Sequence, residues 1–211
     1  PTGGAGAIAM LIGENAPLVM ERIRSSYSSN AFDFYKPMDK PFPVVDGKHA
    51  NACYLNALDQ CWSLYRQKCD AVVSQFRNVL FHTPYCKLTR RAFARLAYLE
   101  SRHEDGEWDL ARDGSASESH WREVSEEGFH SKVDSSLLMA RQCGNMYAAS
   151  LYGCVASIVS SQTFNAGDRI LLFSYGSGLV ASLFSMRVAN PNLVYEMGCK
   201  LRLEQRLRAR T

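Results

Sequence analysis

The chain has 211 residues, of which 46% are hydrophobic and 21% are charged. This composition is typical of a folded domain and excludes disorder throughout, and no run approaches the roughly 18 apolar residues of a membrane span. The formal net charge of +3 is too small to indicate a nucleic-acid partner. Seven cysteines without paired spacing or histidine partners predict reduced thiols in an intracellular compartment, rather than a disulfide framework or a metal site.

The first half of the chain predicts a strand, a connection and a long helix. Residues 4–13 are small, apolar and uncharged, which predicts a strand buried on both faces. Residues 25–48 are rich in Ser, Pro, Asp and Gly, and they predict a long irregular connection between two lobes. From Asn51 to about Phe76, apolar residues recur at helical spacing and predict an amphipathic helix.

A short buried strand is predicted next, over Asn78–Phe81, and it is followed by a helix from about Pro84 to Leu99 with proline in its first turn. Residues 100–135 are rich in Glu, Asp, Ser and Gly. They predict a variable surface excursion in which Trp108 and Trp121 are the large apolar anchors.

The last third predicts a buried helix and a strand pair. Residues from Asn145 to about Gln162 are small or apolar on nearly every side, which is typical of a helix between two layers. Ile170–Phe173 and Leu179–Val188 predict two strands joined at a glycine turn. Helices and strands therefore alternate, and the chain is predicted to form a layered α/β domain.

His82 is the first candidate for chemistry, because it lies between a predicted strand and a predicted helix. The carboxyl ends of strands in open α/β sheets are where ligands usually bind. A structural histidine with its hydrogen bonds satisfied is the alternative at this position.

A group of basic residues follows on the next helix. Lys87 lies in the first turn, where the helix dipole disfavours cations, and Arg91 and Arg95 are like charges four residues apart. A bound anion such as phosphate would offset both penalties. The alternative, which applies above all to Arg90 and Arg95, is a solvated basic face.

Two further positions suit ligand contacts. Asn145 precedes the predicted buried helix, where it can act as an N-cap, a ligand contact or both. The two glycines beside Ser177 leave room for a ligand to approach backbone N–H groups, although a plain tight turn has the same sequence. Ser174 precedes this turn in place of the first glycine of a hydrolase nucleophile elbow, and no acid and base pair indicates a serine hydrolase.

Three segments together resemble the C-terminal half of the eukaryotic-type hydroxymethylglutaryl-CoA (HMG-CoA) synthases: residues 81–88 (FHTPYCKL), 144–147 (GNMY) and 173–179 (FSYGSGL). Residues 3–13, 32–37 (FDFYKP) and 45–48 (VDGK) extend the resemblance over most of residues 2–188. It implies a layered thiolase-like α/β fold. Residues 1–48 would form the end of the N-terminal lobe and the connection, and residues 49–211 would form a C-terminal lobe that is incomplete at its end.

The resemblance also implies an activity, the condensation of acetyl-CoA with acetoacetyl-CoA to HMG-CoA. In that reaction His82 binds and polarises the acetoacetyl-CoA carbonyl, and Lys87 contacts CoA. Arg91 replaces a second ligand-contacting lysine and keeps its charge with a different geometry. Asn145 contacts the acyl substrate, and Ser177 binds substrate without acting as a nucleophile.

The same resemblance implies the partners. CoA thioesters are substrates and no cofactor or metal is required, and the complete enzyme is a homodimer without nucleic-acid or membrane partners. A cytoplasmic location is expected, with a mitochondrial one left open.

The chain departs from the family pattern in several ways. The family's nucleophilic cysteine and its acid/base glutamate belong to an N-terminal half that these residues do not match. Cys53 lies in a similar Asn-Ala-Cys-Tyr run, but the following glycines are missing, so it is interpreted as an ordinary helix cysteine. Ala50 replaces a ligand-contacting serine, and the connection before Asn78 is shorter than usual.

Two hypotheses follow from these observations. The chain is the acetoacetyl-CoA-binding lobe of an HMG-CoA synthase, catalytic only together with the missing half. Alternatively, it is a truncated, non-catalytic paralogue that acts as a CoA-binding or interaction module.

Overall fold

A computed structural model describes residues 3–101 and 114–209, with only the backbone described for 114–117. The strands are β1 (Leu18–Ser28), β2 (Phe34–Tyr35), β3 (Val44–Val45), β4 (Asn78–Phe81), β5 (Arg169–Gly176) and β6 (Val180–Val188). The helices are α1 (Gly47–Cys69), α2 (Cys86–Ser101), α3 (Gly114–Val124), α4 (Glu126–Lys132), α5 (Leu138–Cys143), α6 (Ser150–Ser161), α7 (Pro191–Leu201) and α8 (Leu203–Arg208). Short 3₁₀ turns cover Val73–Gln75, Asp134–Leu137 and Tyr147–Ala149.

A four-stranded mixed sheet in the order β1-β6-β5-β4 forms the centre of the molecule. β4 and β5 are parallel, with Phe81 opposite Phe173, and the other two pairs are antiparallel. All four residues of β4 are buried. Val79 and Phe81 pack in a core with α1 and α2, whereas Leu80 packs with α6 on the other face. The predicted layered α/β architecture is confirmed.

The long helix α1 begins and ends where local chemistry requires. The Asp46 carboxylate accepts hydrogen bonds from the backbone N–H groups of Lys48 and His49, which is a strong N-cap. Asp70 adopts the left-handed conformation with φ 46°, and its N–H donates to the Arg66 carbonyl. The predicted helix is confirmed, but it ends at Cys69 rather than near Phe76.

The predicted strand over residues 4–13 is wrong. Within the described residues this segment pairs with no strand, and the neighbouring Gly3 makes only an isolated bridge to Asn145. Leu11 and Ile12 are 101% and 89% exposed. An apolar composition favours burial, but a strand also needs a neighbour to accept its backbone hydrogen bonds.

Three strands were not predicted, and all of them overlap the predicted irregular connection. β1 contains Glu21, Arg22 and Arg24, which interrupt any simple apolar alternation. It nevertheless pairs along β6 from Leu18 to Ser28, with a register shift between Met20 and Arg24. Residues 25–28 are therefore strand, and residues 29–46 form a connection that contains the short antiparallel pair β2–β3.

The polar excursion is partly a core element, which corrects the prediction for residues 100–135. Trp121 lies 5.5 Å from the Tyr98 ring, but Trp108 lies outside the described residues. Phe129 and Val133 are buried in the core with α1 and α2. The helical turn that holds them is amphipathic over too few residues to stand out among the surrounding charges.

Candidate functional site

His82 is the first residue after β4, and hydrogen bonds fix its backbone. Its N–H donates to the Phe173 carbonyl over 2.8 Å, extending the β4–β5 ladder by one residue. Its carbonyl accepts from the buried Tyr54 hydroxyl at 2.8 Å. Burial lowers the pKa of the His82 imidazole to about 4 from 6.5, because a low-dielectric surrounding disfavours the charged ring. The ring is therefore neutral at pH 7.

Helix α6 packs against the end of β4 beside His82. The Thr83 hydroxyl donates to the Phe81 carbonyl over 2.8 Å, and the Cys154 Sγ lies 3.6 Å from both that oxygen and the Thr83 hydroxyl. The Tyr85 hydroxyl donates to the Asn51 side chain of α1 at 2.7 Å. These contacts join the loop between β4 and α2 to helices on both sides of the sheet.

Ser177 lies in the turn between β5 and β6, and Asp33 stabilises this turn by hydrogen bonds. The fully buried Asp33 carboxylate accepts from the Tyr175 hydroxyl at 2.7 Å and from the Gly178 N–H at 2.9 Å. Burial alone would raise the Asp33 pKa, but hydrogen bonds from Tyr175, Ser177, Gly178 and Phe34 bring that pKa below its ordinary value of 3.8. Ser177 itself is exposed.

Asp33 was missed as a site residue in the sequence. The available signal was a single acidic residue within the aromatic run of residues 32–35, far along the chain from the turn that it supports. Only tertiary contact shows its role.

Asn145 occupies the loop between α5 and α6. Its Oδ1 accepts from the Tyr147 N–H at 2.8 Å and from the Ser150 hydroxyl at 3.3 Å. The predicted N-cap role is therefore wrong, because the N-cap of the 3₁₀ turn is Met146 and that of α6 is Ala149; Asn145 instead stabilises the loop before the turn. Its Nδ2 makes no hydrogen bond with any described residue and is available to a ligand.

The basic residues of α2 differ in their partners. Lys87 is exposed and forms no ion pair within the described residues. Arg91 makes a two-pronged ion pair with Glu118 of α3, at 2.8 and 2.9 Å. Arg90 pairs with Glu126 at 2.9 Å.

The alternative of a solvated basic face is wrong for Arg95. Only 6% of this residue is exposed, and its guanidinium pairs with Asp59 of α1. Carboxylates from neighbouring helices therefore offset the repulsion between Arg91 and Arg95, so this repulsion needs no bound anion.

The strand order places several predicted residues at one edge of the sheet. His82 and Ser177 follow the carboxyl ends of the adjacent strands β4 and β5. The loop of Asn145 leads into α6, whose Cys154 touches the end of β4. Lys87 is the second residue of α2, which follows the His82 loop. No hydrogen bond joins any two of the five predicted site residues.

Cys53 lies in the second turn of α1, with its Sγ 3.6 Å from the His49 Nε2. Burial and the charge of Asp33 raise the pKa of its thiol, so the thiol is protonated at neutral pH. Among residues 3–101 and 118–209, His, Cys, Asp and Glu side chains form no group of three that could hold a metal ion. The helices of the described chain are all too short or too polar to cross a membrane.

The central sheet with helices on both faces forms a layered α/β domain, and its structural neighbours have a thiolase-like fold. Residues 18–211 match the family model of the hydroxymethylglutaryl-coenzyme A synthase C-terminal domain. The chain therefore belongs to the HMG-CoA synthase family.

Relatives and solved structures agree with this assignment. The chain is 42% identical to the cytoplasmic HMG-CoA synthase of Gallus gallus and 40% identical to the mitochondrial HMG-CoA synthase of Sus scrofa, with 89% and 90% of this chain aligned. It covers only 42% and 43% of those two relatives. MvaS in complex with 3-hydroxy-3-methylglutaryl coenzyme A superposes with a TM-score of 0.75 at 29% identity, over 92% of this chain and 47% of that one. An HMG-CoA synthase complexed with CoA superposes with a TM-score of 0.69 at 26% identity, over 92% and 44%.

Proposed function

We propose that the protein condenses acetyl-CoA with acetoacetyl-CoA to form HMG-CoA, and that this chain is the part that binds acetoacetyl-CoA. The observation that supports this role is the neutral His82 imidazole at the carboxyl edge of the sheet. A neutral imidazole offers one N–H donor without a competing positive charge. Such a donor suits a ketone oxygen that becomes negative as the new bond forms.

The remaining residues fit positions around that ketone. The acetyl carbanion adds to the ketone carbon and the carbonyl electron pair moves to oxygen, where His82 stabilises the charge. Asn145 has a free Nδ2 for the thioester end of the substrate, and Ser177 presents an exposed hydroxyl. The exposed Lys87 ammonium suits a CoA phosphate.

Two steps of the reaction need other residues. A thiolate must take acetyl from acetyl-CoA with release of the CoA thiol, and a base must remove a proton from the acetyl methyl group. After the addition the new alkoxide takes up a proton, and water then hydrolyses the thioester bond to the protein, which frees HMG-CoA and restores the thiol. The raised pKa of Cys53 makes it a poor candidate for the thiolate. We assign both roles to residues outside these 211. The Gallus gallus relative, of which this chain covers 42%, is long enough to contain such residues.

One observation favours the alternative of a truncated, non-catalytic paralogue that acts as a CoA-binding or interaction module. The Arg91 guanidinium is already paired with Glu118, so its contribution to CoA binding is reduced. Only the first hypothesis predicts condensation when the missing half is supplied in trans.

Titration calorimetry with acetoacetyl-CoA tests the proposal. Saturable binding by the wild-type chain is expected, with affinity about 2- to 10-fold weaker in His82→Ala because the hydrogen bond to the ketone oxygen is lost. His120→Ala, which removes an exposed imidazole from α3, should bind like the wild type. Equal affinity of His82→Ala and wild type, or no binding by a folded chain, would overturn the assignment of this lobe.

We also propose that the complete protein is a cytoplasmic homodimer supplying the mevalonate route to isoprenoids and sterols. Relatives occur in both the cytoplasm and mitochondria. Support for self-association comes from Phe32, Met38 and Phe42, which are 75%, 103% and 76% exposed. A stable, dispersed monomer at all concentrations in light scattering would contradict it.

A further inference from the structure

A cavity of about 440 Å³ opens at the amino ends of β4 and β5, at the opposite edge of the sheet from His82. It is lined by residues 74–77, which precede β4, by residues 131–132 at the end of α4, and by residues 167–169, which lead into β5. Serine, glutamine and charged side chains dominate this lining. The cavity therefore suits a polar ligand.

Three cations from three different elements meet in this cavity: Arg77, Lys132 and Arg169. The Arg77 N–H donates to the Arg169 carbonyl at 2.8 Å, which holds the two residues side by side. The Lys132 ammonium donates to the Phe76 carbonyl, and the Lys132 carbonyl accepts from the Asn78 side chain at 3.2 Å. The backbone thus fixes all three positions.

The charges of the three cations are compensated unequally. Arg169 pairs with Glu21 at 2.7 Å and lies over the Phe76 ring. Arg77 has no ion pair or side-chain hydrogen bond within the described residues. Burial lowers the pKa of Lys132, and the charge of Arg77 lowers it further, although Glu100 acts in the opposite direction. Arg77 and Lys132 therefore repel one another.

The nearby carboxylates already have partners. Glu100 accepts from the Val73 N–H. Asp168 lines the cavity, but its Oδ2 accepts from the Asn165 N–H at 2.8 Å and closes the turn before β5. An incoming anion would therefore relieve the repulsion between Arg77 and Lys132 without displacing a described ion pair.

We propose that this cavity binds a small phosphate monoester, with the phosphate group between Arg77 and Lys132. Guanidinium and ammonium groups together provide the charge and the hydrogen-bond donors that phosphate oxygens accept. The cavity volume exceeds that of a phosphate group and leaves room for a polar organic part beside Ser74 and Ser131. This site is independent of the proposed condensation.

Calorimetry at fixed ionic strength with inorganic phosphate and glycerol 3-phosphate tests the proposal. Both probes should bind saturably, and the monoester should bind more tightly. Arg77→Gln should weaken binding of both probes at least about 10-fold, as expected when one charge-assisted contact is lost. Asp168→Asn keeps an acceptor for Asn165 but removes the negative charge from the lining, so it should tighten binding.

One control removes the same charge elsewhere. Arg122→Gln changes an exposed arginine of α3 and should leave phosphate affinity unaltered. The proposal is overturned by the absence of saturable binding in a chain that circular dichroism shows to be folded, or by equal weakening in Arg122→Gln. Equal affinities for the two probes would overturn the assignment of a monoester.

Discussion

The two ends of the β4–β5 strand pair differ in the charge state of the side chains around them. At the carboxyl end, burial keeps the His82 ring neutral, and hydrogen bonds fully occupy the Asp33 carboxylate. At the amino end, Arg77, Lys132 and Arg169 remain close together, and of these three only Arg169 forms an ion pair with a described residue. One pair of parallel strands therefore carries a neutral imidazole at one edge and three cations at the other.

The difference follows from what packs on each end. The carboxyl end is enclosed by α1, α6 and the β5–β6 turn, so an ionised imidazole would lose its hydration. The amino end is open to solvent along the cavity, where arginine keeps its charge at low cost. Burial, rather than residue type, decides which edge can polarise a carbonyl and which can hold an anion.

Both edges depend on the strand pair itself, so the largest expected effect comes from breaking its core. Phe173 is fully buried opposite Phe81, with its ring 5.3 Å from the Tyr54 ring. Phe173→Ala should lower the free energy of unfolding by about 3–5 kcal/mol, because it leaves a cavity among aromatic rings. Urea denaturation measures this loss. Val180→Ala, at a position that is 61% exposed, should change stability by less than about 0.5 kcal/mol, and a similar loss in both variants would contradict the prediction.

The neutral edge predicts a pH dependence of stability. The folded-state pKa of His82 is about 4, below its ordinary value of 6.5, so only the unfolded chain binds this proton between those values. The free energy of unfolding should therefore fall as pH decreases from about 6.5 to about 4, by about 3 kcal/mol at most. Denaturation at a series of pH values measures the slope. His82→Asn should remove it, and an unchanged slope in that variant would refute the neutral imidazole.

Asp33 predicts a smaller effect at lower pH. Asp33→Asn cannot accept from both Tyr175 and Gly178, so it should cost about 1–3 kcal/mol. Because the folded pKa of Asp33 is lowered, its contribution is present above about pH 4 and is lost as pH falls through the folded value. Urea titrations at pH 7 and at a series of pH values below 4 should show the difference between the two proteins shrinking as the pH falls. A constant difference would mean that Asp33 does not act through its charge.

The smallest expected effect concerns Arg91. Glu118→Gln should free its guanidinium and tighten CoA binding by about 2- to 5-fold, since half-exposed ion pairs contribute less than about 1 kcal/mol. Glu126→Gln frees Arg90 instead and serves as the matched control. Calorimetry with CoA distinguishes them, and no difference between the two variants would remove Arg91 from the site.

Some elements could be predicted because local pattern and final environment agree. β4 consists of Asn78 and three apolar residues, all of them buried, and it was located at its observed bounds. The helical stripe of Tyr54, Leu58 and Trp62 faces the core as its spacing predicts. The sequence also placed His82 at the carboxyl end of a strand and Ser177 in a turn between two strands, whereas the structure shows that β4 and β5 are neighbours and bring both residues to one edge.

Other features could not be predicted because a distant residue decides them. The charged residues of β1 interrupt the apolar alternation from which a strand is predicted. Its hydrogen bonds to β6 make it a strand. The sequence predicts Arg95 to lie on the surface, but in the structure its guanidinium pairs with Asp59, 36 residues earlier in the chain. The turn of Ser177 is supported by Asp33, 145 residues before Gly178.

The sequence by itself determined the family, the alternation of elements and the residues at the carboxyl edge, because motifs and apolar periodicity are local properties. Only the tertiary structure decided that His82 is neutral, that Asp33 is buried and that three cations share one cavity. Charge state and ion pairing depend on dielectric environment and distance, and both are set by contacts between segments far apart in the chain.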